Sequence, residues 1–419
     1  MKKFTRSVLP GLLAFSLIVG ANSAWAAAGS LDPTFGRGGV TATNFASQNS
    51  VIPYSIKLQT DGKILVLVVA GGEAAEVLRY TSAGALDPSF GSNGIATLPT
   101  PASTFGSMAL QSNGQIVVVG DITDPSSGAA AFGVQRLNTN GTVDTNFGRG
   151  GLGVASIGFP GTQAVLLIQP NGDILLGAQL EPTGRGQPFH TALARFGPSG
   201  ALDPAFGSNG TVSVPAVGGC TALALLSDGQ ILVVNANEIA QFTSNGGLEP
   251  TVTGGTIVAS AGSENPSIPS IFQPNGDYLL ATEVAIGAAR NHNFAAQVLR
   301  FTPTGGADPT FANPTFRFTG NGGTSVEDVI NGIAVQANGN LVVAGLHSTP
   351  SSTVNALARL TSSGTFDSTF GTNGIVINSV PVGTDGFEGV VIQPADNKIV
   401  VVGTANSLTQ LTVSRYLAQ

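Results

Sequence analysis

Two stretches of this 419-residue chain gather side chains of the kind that bind or react: Glu181, Arg185 and His190 in one, Glu283, Arg290 and His292 in the other. A carboxylate, a guanidinium and an imidazole on one short segment can accept, donate and neutralise charge around a polar ligand. Neither trio has the spacing of a metal or hydrolytic centre. His190, His292 and His347 are the only histidines and have no H-x-x-x-H or H-E-x-x-H partner, so no zinc site is expected. No segment has the alternating carboxylates of a calcium loop, and no G-x-S-x-G elbow appears. The GRGG stretches at 36 and 148 lack the lysine of a phosphate-binding loop, so neither a metal nor a cofactor is expected. Cys220, the single cysteine, lies in the apolar run CTALALL and reads as a small buried hydrophobe, with no partner for a disulfide. Catalysis would require two or more of Glu181, His190, Glu283, His292, Glu327, Asp328, Asp385 and Glu388 to meet in one pocket.

A second pattern points to structure. Arg79, Arg136, Arg195, Arg300 and Arg359 each precede an aspartate by eight residues, namely Asp87, Asp144, Asp203, Asp308 and Asp367. Where Gln241 replaces the arginine, Glu249 replaces the aspartate and Val252 replaces a phenylalanine. The spacing straddles one turn, so an Arg to Asp pair is expected to brace it, with Arg415 meeting Asp32 from the other end of the chain. An aspartate that recurs at the same turn serves the turn: Asp-Pro suits a type I turn in which the carboxylate accepts local amides. Phe35, Phe90, Phe147, Phe206, Phe311 and Phe370 recur beside it and suit packing between units.

These residues ride on three repeating phrases. LDPTFG and its variants begin at 31, 86, 143, 202, 248, 307 and 366, with steps of 55, 57, 59, 46, 59 and 59. After each comes a strand, turn, strand phrase such as QTDGKILVLV or QPNGDILLGA, beginning at 59, 111, 169, 226, 273, 336 and 393. Asn-Gly or Asp-Gly between β-branched runs is the strongest short hairpin signal. An alternating strand carrying the arginine completes the set, as in VLRYT and LARLT. Four short strands per unit at this period make a propeller blade. The sequence predicts an all-β, seven-bladed β-propeller of four-stranded antiparallel blades, with a parallel β-helix as runner-up. The first strand available is GVTATNF at 39, a fourth-type strand, and the last is LTVSRYL, a third-type strand, so the N-terminal strand is expected to complete the last blade and close the ring.

One face of such a ring carries nearly uniform turns and the other carries irregular loops, where ligand sites concentrate. Residues 178–190 and 282–293 are the two long loops, and between them the fourth unit has only 235–237. The two acid, arginine and histidine trios are therefore expected to flank a groove over the fourth blade.

Composition sets the address. Lys2, Lys3 and Arg6, an apolar run over 7–20 and Ala24-Trp25-Ala26 read as a signal peptide of residues 1–26, leaving 27–419 as one domain with no membrane insertion. Removing three cations leaves 14 basic against 24 acidic residues, a net −10 that argues against nucleic acid and favours a monomer. With 57 glycines and 24 prolines the chain is rich in turns, not in helices.

Taken together over residues 30–418, LDPxFG, QPNGxIxVVG and LARL resemble the delta-60 repeat, a bacterial β-propeller family. The fourth unit departs from it, being short and lacking Phe and Gly after its LEP. The resemblance implies an exported or surface protein of Gram-negative and related bacteria and carries no established reaction. The expected function is that of a secreted or periplasmic, non-catalytic binding or scaffolding module for a protein or carbohydrate. Its alternatives are an extracellular hydrolase or lyase acting on a carbohydrate or lactone at the channel mouth, and a structural part of a surface assembly.

Overall fold

In the hairpins only the glycine bends left. The Gln59 amide donates to Lys63 O and the Gly62 amide returns to Gln59 O, both at 2.9 Å, with Gly62 at φ 80° and Asp61 on the ordinary side. This is a type I turn closed by a glycine, not the I′ turn in which both central residues are left-handed. In the last unit Asn397, at φ 57°, takes the glycine's place. Each hairpin then extends into an antiparallel sheet, as in Val51–Leu58 with Ile64–Ala70, Ala74–Tyr80 and Ile95–Thr97.

The computed structural model describes residues 27–45, 50–71, 74–99, 105–157, 160–180, 189–214, 218–226, 228–234, 239–249, 269–273, 275–286, 294–303, 306–319, 327–349, 352–377 and 384–419. Among them there is no helix, and the architecture is that of four-stranded antiparallel sheets of the β-propeller kind. Four sheets have four strands each. The unit around Ala222–Leu225, Ile231–Val234 and Ile239–Phe242 shows three, and the position of Val252 lies outside the described residues. An eight-stranded sheet is two antiparallel halves joined by a single parallel pair, Phe294 with Glu327. At the chain ends, Val40–Asn44 pairs antiparallel with Gln410–Tyr416, so one sheet contains both the first and the last strand.

The second strand of each unit is apolar on both sides because sheets pack face to face against two neighbours. Along Ile64–Ala70 every residue is buried, and the residues alternate. Leu65, Leu67 and Val69 pack against Met108, Ile116 and Val118 of the following sheet. Ile64, Val66 and Val68 pack against Val400, Val402, Leu411 and Val413 of the sheet that carries the C-terminus. Seven such apolar clusters fill the spaces between successive strand groups.

Each seam is fastened on the hairpin side. Asp32 Oδ1 accepts the Thr34 amide at 3.0 Å and its hydroxyl at 2.7 Å, which shapes the turn. Phe35 then lies against Gly84 of the next unit, and the Gly36 amide donates to Ala83 O at 2.8 Å. The same contact recurs where Gly91 donates to Asn140 O, Gly148 to Ser199 O and Gly207 to Asn245 O.

The sequence placed Glu283 in a loop over 282–293. It lies instead in the strand Tyr278–Ala285, paired with Ala296 and only 4% exposed. The alternation of Leu280, Thr282 and Val284 simply continues two residues beyond the point where polar residues suggested an end. His190 likewise opens the strand His190–Phe196, opposite Leu180.

Candidate functional site

The first strand of each unit ends at the hairpin glutamine, or at Leu226 in the fourth unit, and these strands touch one another in succession. Val51–Leu58 touches Phe105–Leu110, which touches Pro160–Ile168, which touches Ala222–Leu225. Ser270–Phe272 touches Glu327–Val335, which touches Thr384–Ile392, and that strand returns to Val51–Leu58. Together they bound one cavity of about 620 Å³.

What enters the cavity is set by a backbone irregularity. Pairing slips between Pro53 and Ser55, Phe105 and Ser107, Ile330 and Gly332, and Phe387 and Gly389, leaving one extra residue in each strand. A bulge re-aims a side chain that the pleat would direct elsewhere. The four extra residues are Tyr54, Gly106, Asn331 and Glu388, each five positions before the hairpin glutamine, and all line the cavity. Gly106 has no room for a Cβ, since Ala164 O of the neighbouring inner strand occupies that space. Ser55, Ser107, Thr221 and Ser270 add hydroxyls to the wall. Asn331 Nδ2 donates to Phe387 O at 3.0 Å, tying two inner strands together. Burial, with a contribution from the Asp121 charge, pushes the Tyr54 phenol above its ordinary value.

Lys57 is the one cation among the described residues that line this cavity. It is solvent-exposed there, yet the protein around it desolvates the ammonium and lowers its pKa. Glu388 is the one carboxylate among the described lining residues.

A separate ionic cluster lies between the two halves of the eight-stranded sheet. His347 Nδ1 is 2.7 Å from Asp328 Oδ1, across a register pair, and Arg317 Nη1 approaches Asp328 Oδ2 at 3.5 Å. Asp328 is wholly buried. Among the described residues no three His, Cys, Asp or Glu side chains converge in a way that could hold a metal ion. Cys220 is fully buried, and burial pushes its thiol far above the ordinary range.

The arginines that recur with aspartates are braces. Arg79, Arg136, Arg195, Arg300, Arg359 and Arg415 meet Asp87, Asp144, Asp203, Asp308, Asp367 and Asp32 at 2.6–2.9 Å. Each guanidinium also lies over the phenylalanine of the same turn at 4.4–4.8 Å from the ring centroid. Each further donates to a backbone carbonyl of the adjoining unit, as Arg79 does to Thr139 and Arg415 to Ser82. In the unit without arginine, Gln241 turns to Gln230.

Of the residues proposed to flank a groove, Glu181, Arg185, Arg290 and His292 lie outside the described residues. His190 is half-buried at its strand end, Glu283 is buried within a sheet, and neither lines the cavity. Apart from Glu388, which the sequence offered among the groups that catalysis would require, the cavity residues escaped sequence reasoning because a bulge has no residue-type signature. The available signal was positional, since five places before a repeated glutamine stand Tyr54, Gly106, Ala164, Ile268, Asn331 and Glu388, and five before Leu226 stands Thr221, with no common chemistry.

No curated protein matches the chain. Among solved structures, a glucose dehydrogenase is similar with a TM-score of 0.40 and 12% identity, covering 90% of this chain and 99% of that one. A GH93 α-L-arabinofuranosidase of Fusarium graminearum, solved with arabinobiose, gives 0.47 and 10% identity over 89% and 94% of the two chains. A protein of unknown function from Bacteroides caccae gives 0.35 and 13% over 79% and 99%. Over residues 59–90, 111–147 and 336–370, the same hairpin, arginine-strand and LDPxFG stretches described above, the chain is similar to the domain of unknown function (DUF5122) beta-propeller.

Proposed function

We propose that residues 27–419 form one seven-bladed β-propeller, exported behind residues 1–26 and closed by its N-terminal strand, which works as a monomeric module binding a carbohydrate in its axial channel. Closure is supported by the pairing of Val40–Asn44 with Gln410–Tyr416 and by the contact of Thr384–Ile392 with Val51–Leu58. Export is supported by the charged, apolar and small-residue order of the first 26 residues.

The observation that carries the binding role is the set of bulged positions. A repeated scaffold places unlike residues, Tyr54, Asn331 and Glu388, in the wall of one cavity ringed by serine and threonine. Such a mixture of one aromatic face with several converging donors and acceptors suits a polyhydroxylated ligand. A glycosidase would need two carboxylates across the scissile bond, and among the described residues the cavity offers Glu388 alone. Titration calorimetry of residues 27–419 against neutral and acidic oligosaccharides, without any turnover of the sugars, tests the reading. Binding that weakens in Glu388→Gln supports it, whereas no heat from any sugar overturns it and directs attention to a protein partner.

A further inference from the structure

Lys57 stands two residues before its hairpin glutamine, and at the same register position the other units carry Ala109, Leu167, Ala224, Ile271, Ala334 and Val391. The lysine is thus a single positive charge at an otherwise apolar level of the inner strands. Among the described residues the ion pairs of lysine, at Lys63 and Lys398, are made on the outer turns, and Lys57 makes none. Desolvation by the surrounding protein lowers its pKa. Exposed to the cavity, the ammonium is open to an anionic group that enters it.

Glu388 stands at the bulge level, three residues from the level of Lys57, which is roughly 10 Å along a strand. An extended ligand lying along the axis therefore meets hydroxyl-binding groups at one level and a cation at the other.

We propose that the channel is selective for an acidic oligosaccharide, one uronic acid unit of which presents its carboxylate to Lys57 while hydroxyls of the neighbouring units meet Tyr54, Asn331 and Glu388. This rests on the carbohydrate-binding reading above. A carboxylate gains a charge-assisted hydrogen bond from the ammonium, whereas a neutral sugar leaves the ammonium unmet. The apolar neighbours at that level bring no carboxylate to repel the incoming anion.

The test pairs neutral oligosaccharides with counterparts that differ only in a carboxylate for a hydroxymethyl group, titrated into residues 27–419 and into Lys57→Met and Lys57→Arg. The acidic member of the productive pair is expected to bind about tenfold or more tightly, a preference that K57M removes and K57R largely keeps. Rising salt should erode it. Equal affinity for both members, or a preference unchanged in K57M, overturns the role of Lys57 and leaves the channel reading standing. No binding of any pair overturns both. K57R, which preserves the charge, separates loss of the cation from damage to the fold.

Discussion

Arg415 Nε donates to Asp32 Oδ2 at 2.8 Å across 383 positions of sequence, inside the sheet that the two chain ends share. The pair is well enclosed, with side-chain exposures of 8% and 2%, and Lys398 adds a second cation 2.9 Å from the same oxygen. Arg415→Ala therefore strands a buried carboxylate, removes the guanidinium from the Phe35 ring and breaks the bond to Ser82 O. The expected cost is about 3–5 kcal/mol in urea unfolding. Arg195→Ala should cost clearly less, because Asp203 is 24% exposed and water can replace the partner. Equal losses would mean that sealing the chain ends carries no special weight.

The same carboxylates set an acid limit. Burial alone would raise Asp32, but the bonds from Thr34 and Lys398 and the Arg415 charge hold it at about 2, against an ordinary 3.8. Asp87 is held at about 2, chiefly by the Ser89 hydroxyl bond. A carboxylate depressed in the folded state binds its proton more readily when unfolded. Its stabilisation is therefore complete above the ordinary value and is lost as pH falls from about 4 towards 2. Thermal melts should be flat from pH 6 to 4 and fall steeply below. Asp32→Asn should start lower and fall less, and a parallel curve would separate acid sensitivity from this pair.

The braces were legible in the sequence and the cavity was not, for a physical reason. Arg415 and Asp32 repeat a spacing set by one turn, and a repeated turn needs the same residue types each time. Glu283 misleads because a polar residue late in a strand looks like a loop, although its pairing with Ala296 continues the ladder. Tyr54, Asn331 and Glu388 share only a backbone slip, and the register that creates it is a property of two strands together. Their common offset from the hairpin glutamine becomes informative once the bulges are seen.

Gly84 tests how tightly one unit seats on the next. Its φ of +93° is left-handed, and a Cβ there would fall 2.8 Å from Phe35 Cζ and from Thr41 Oγ1. Gly38, at φ +63°, would meet nothing within 4 Å. Gly38→Ala should cost only the backbone strain, about 1 kcal/mol. Gly84→Ala should cost that and also the displacement of a buried ring, several-fold more in a thermal melt. Similar losses would show that the seam gives way without penalty.

Asp328 and His347 offer the sharpest test of an interior polar contact. Asp328 is 0% exposed, so its carboxylate depends on neighbours for what water would supply, and His347 Nδ1 sits 2.7 Å away. Arg317 Nη1, 3.5 Å from Asp328 Oδ2, stays when the imidazole is removed. His347→Ala is expected to destabilise by about 3 kcal/mol, since breaking a buried pair costs more than the pair's own net worth. Asp328→Ala relieves the buried charge as well as the contact, so the double variant should be less damaged than the sum of the two. A coupling of about 1–3 kcal/mol in the double-mutant cycle is expected from urea midpoints. Strict additivity would mean that the carboxylate is satisfied independently of His347, and that the closeness of the two groups is packing alone.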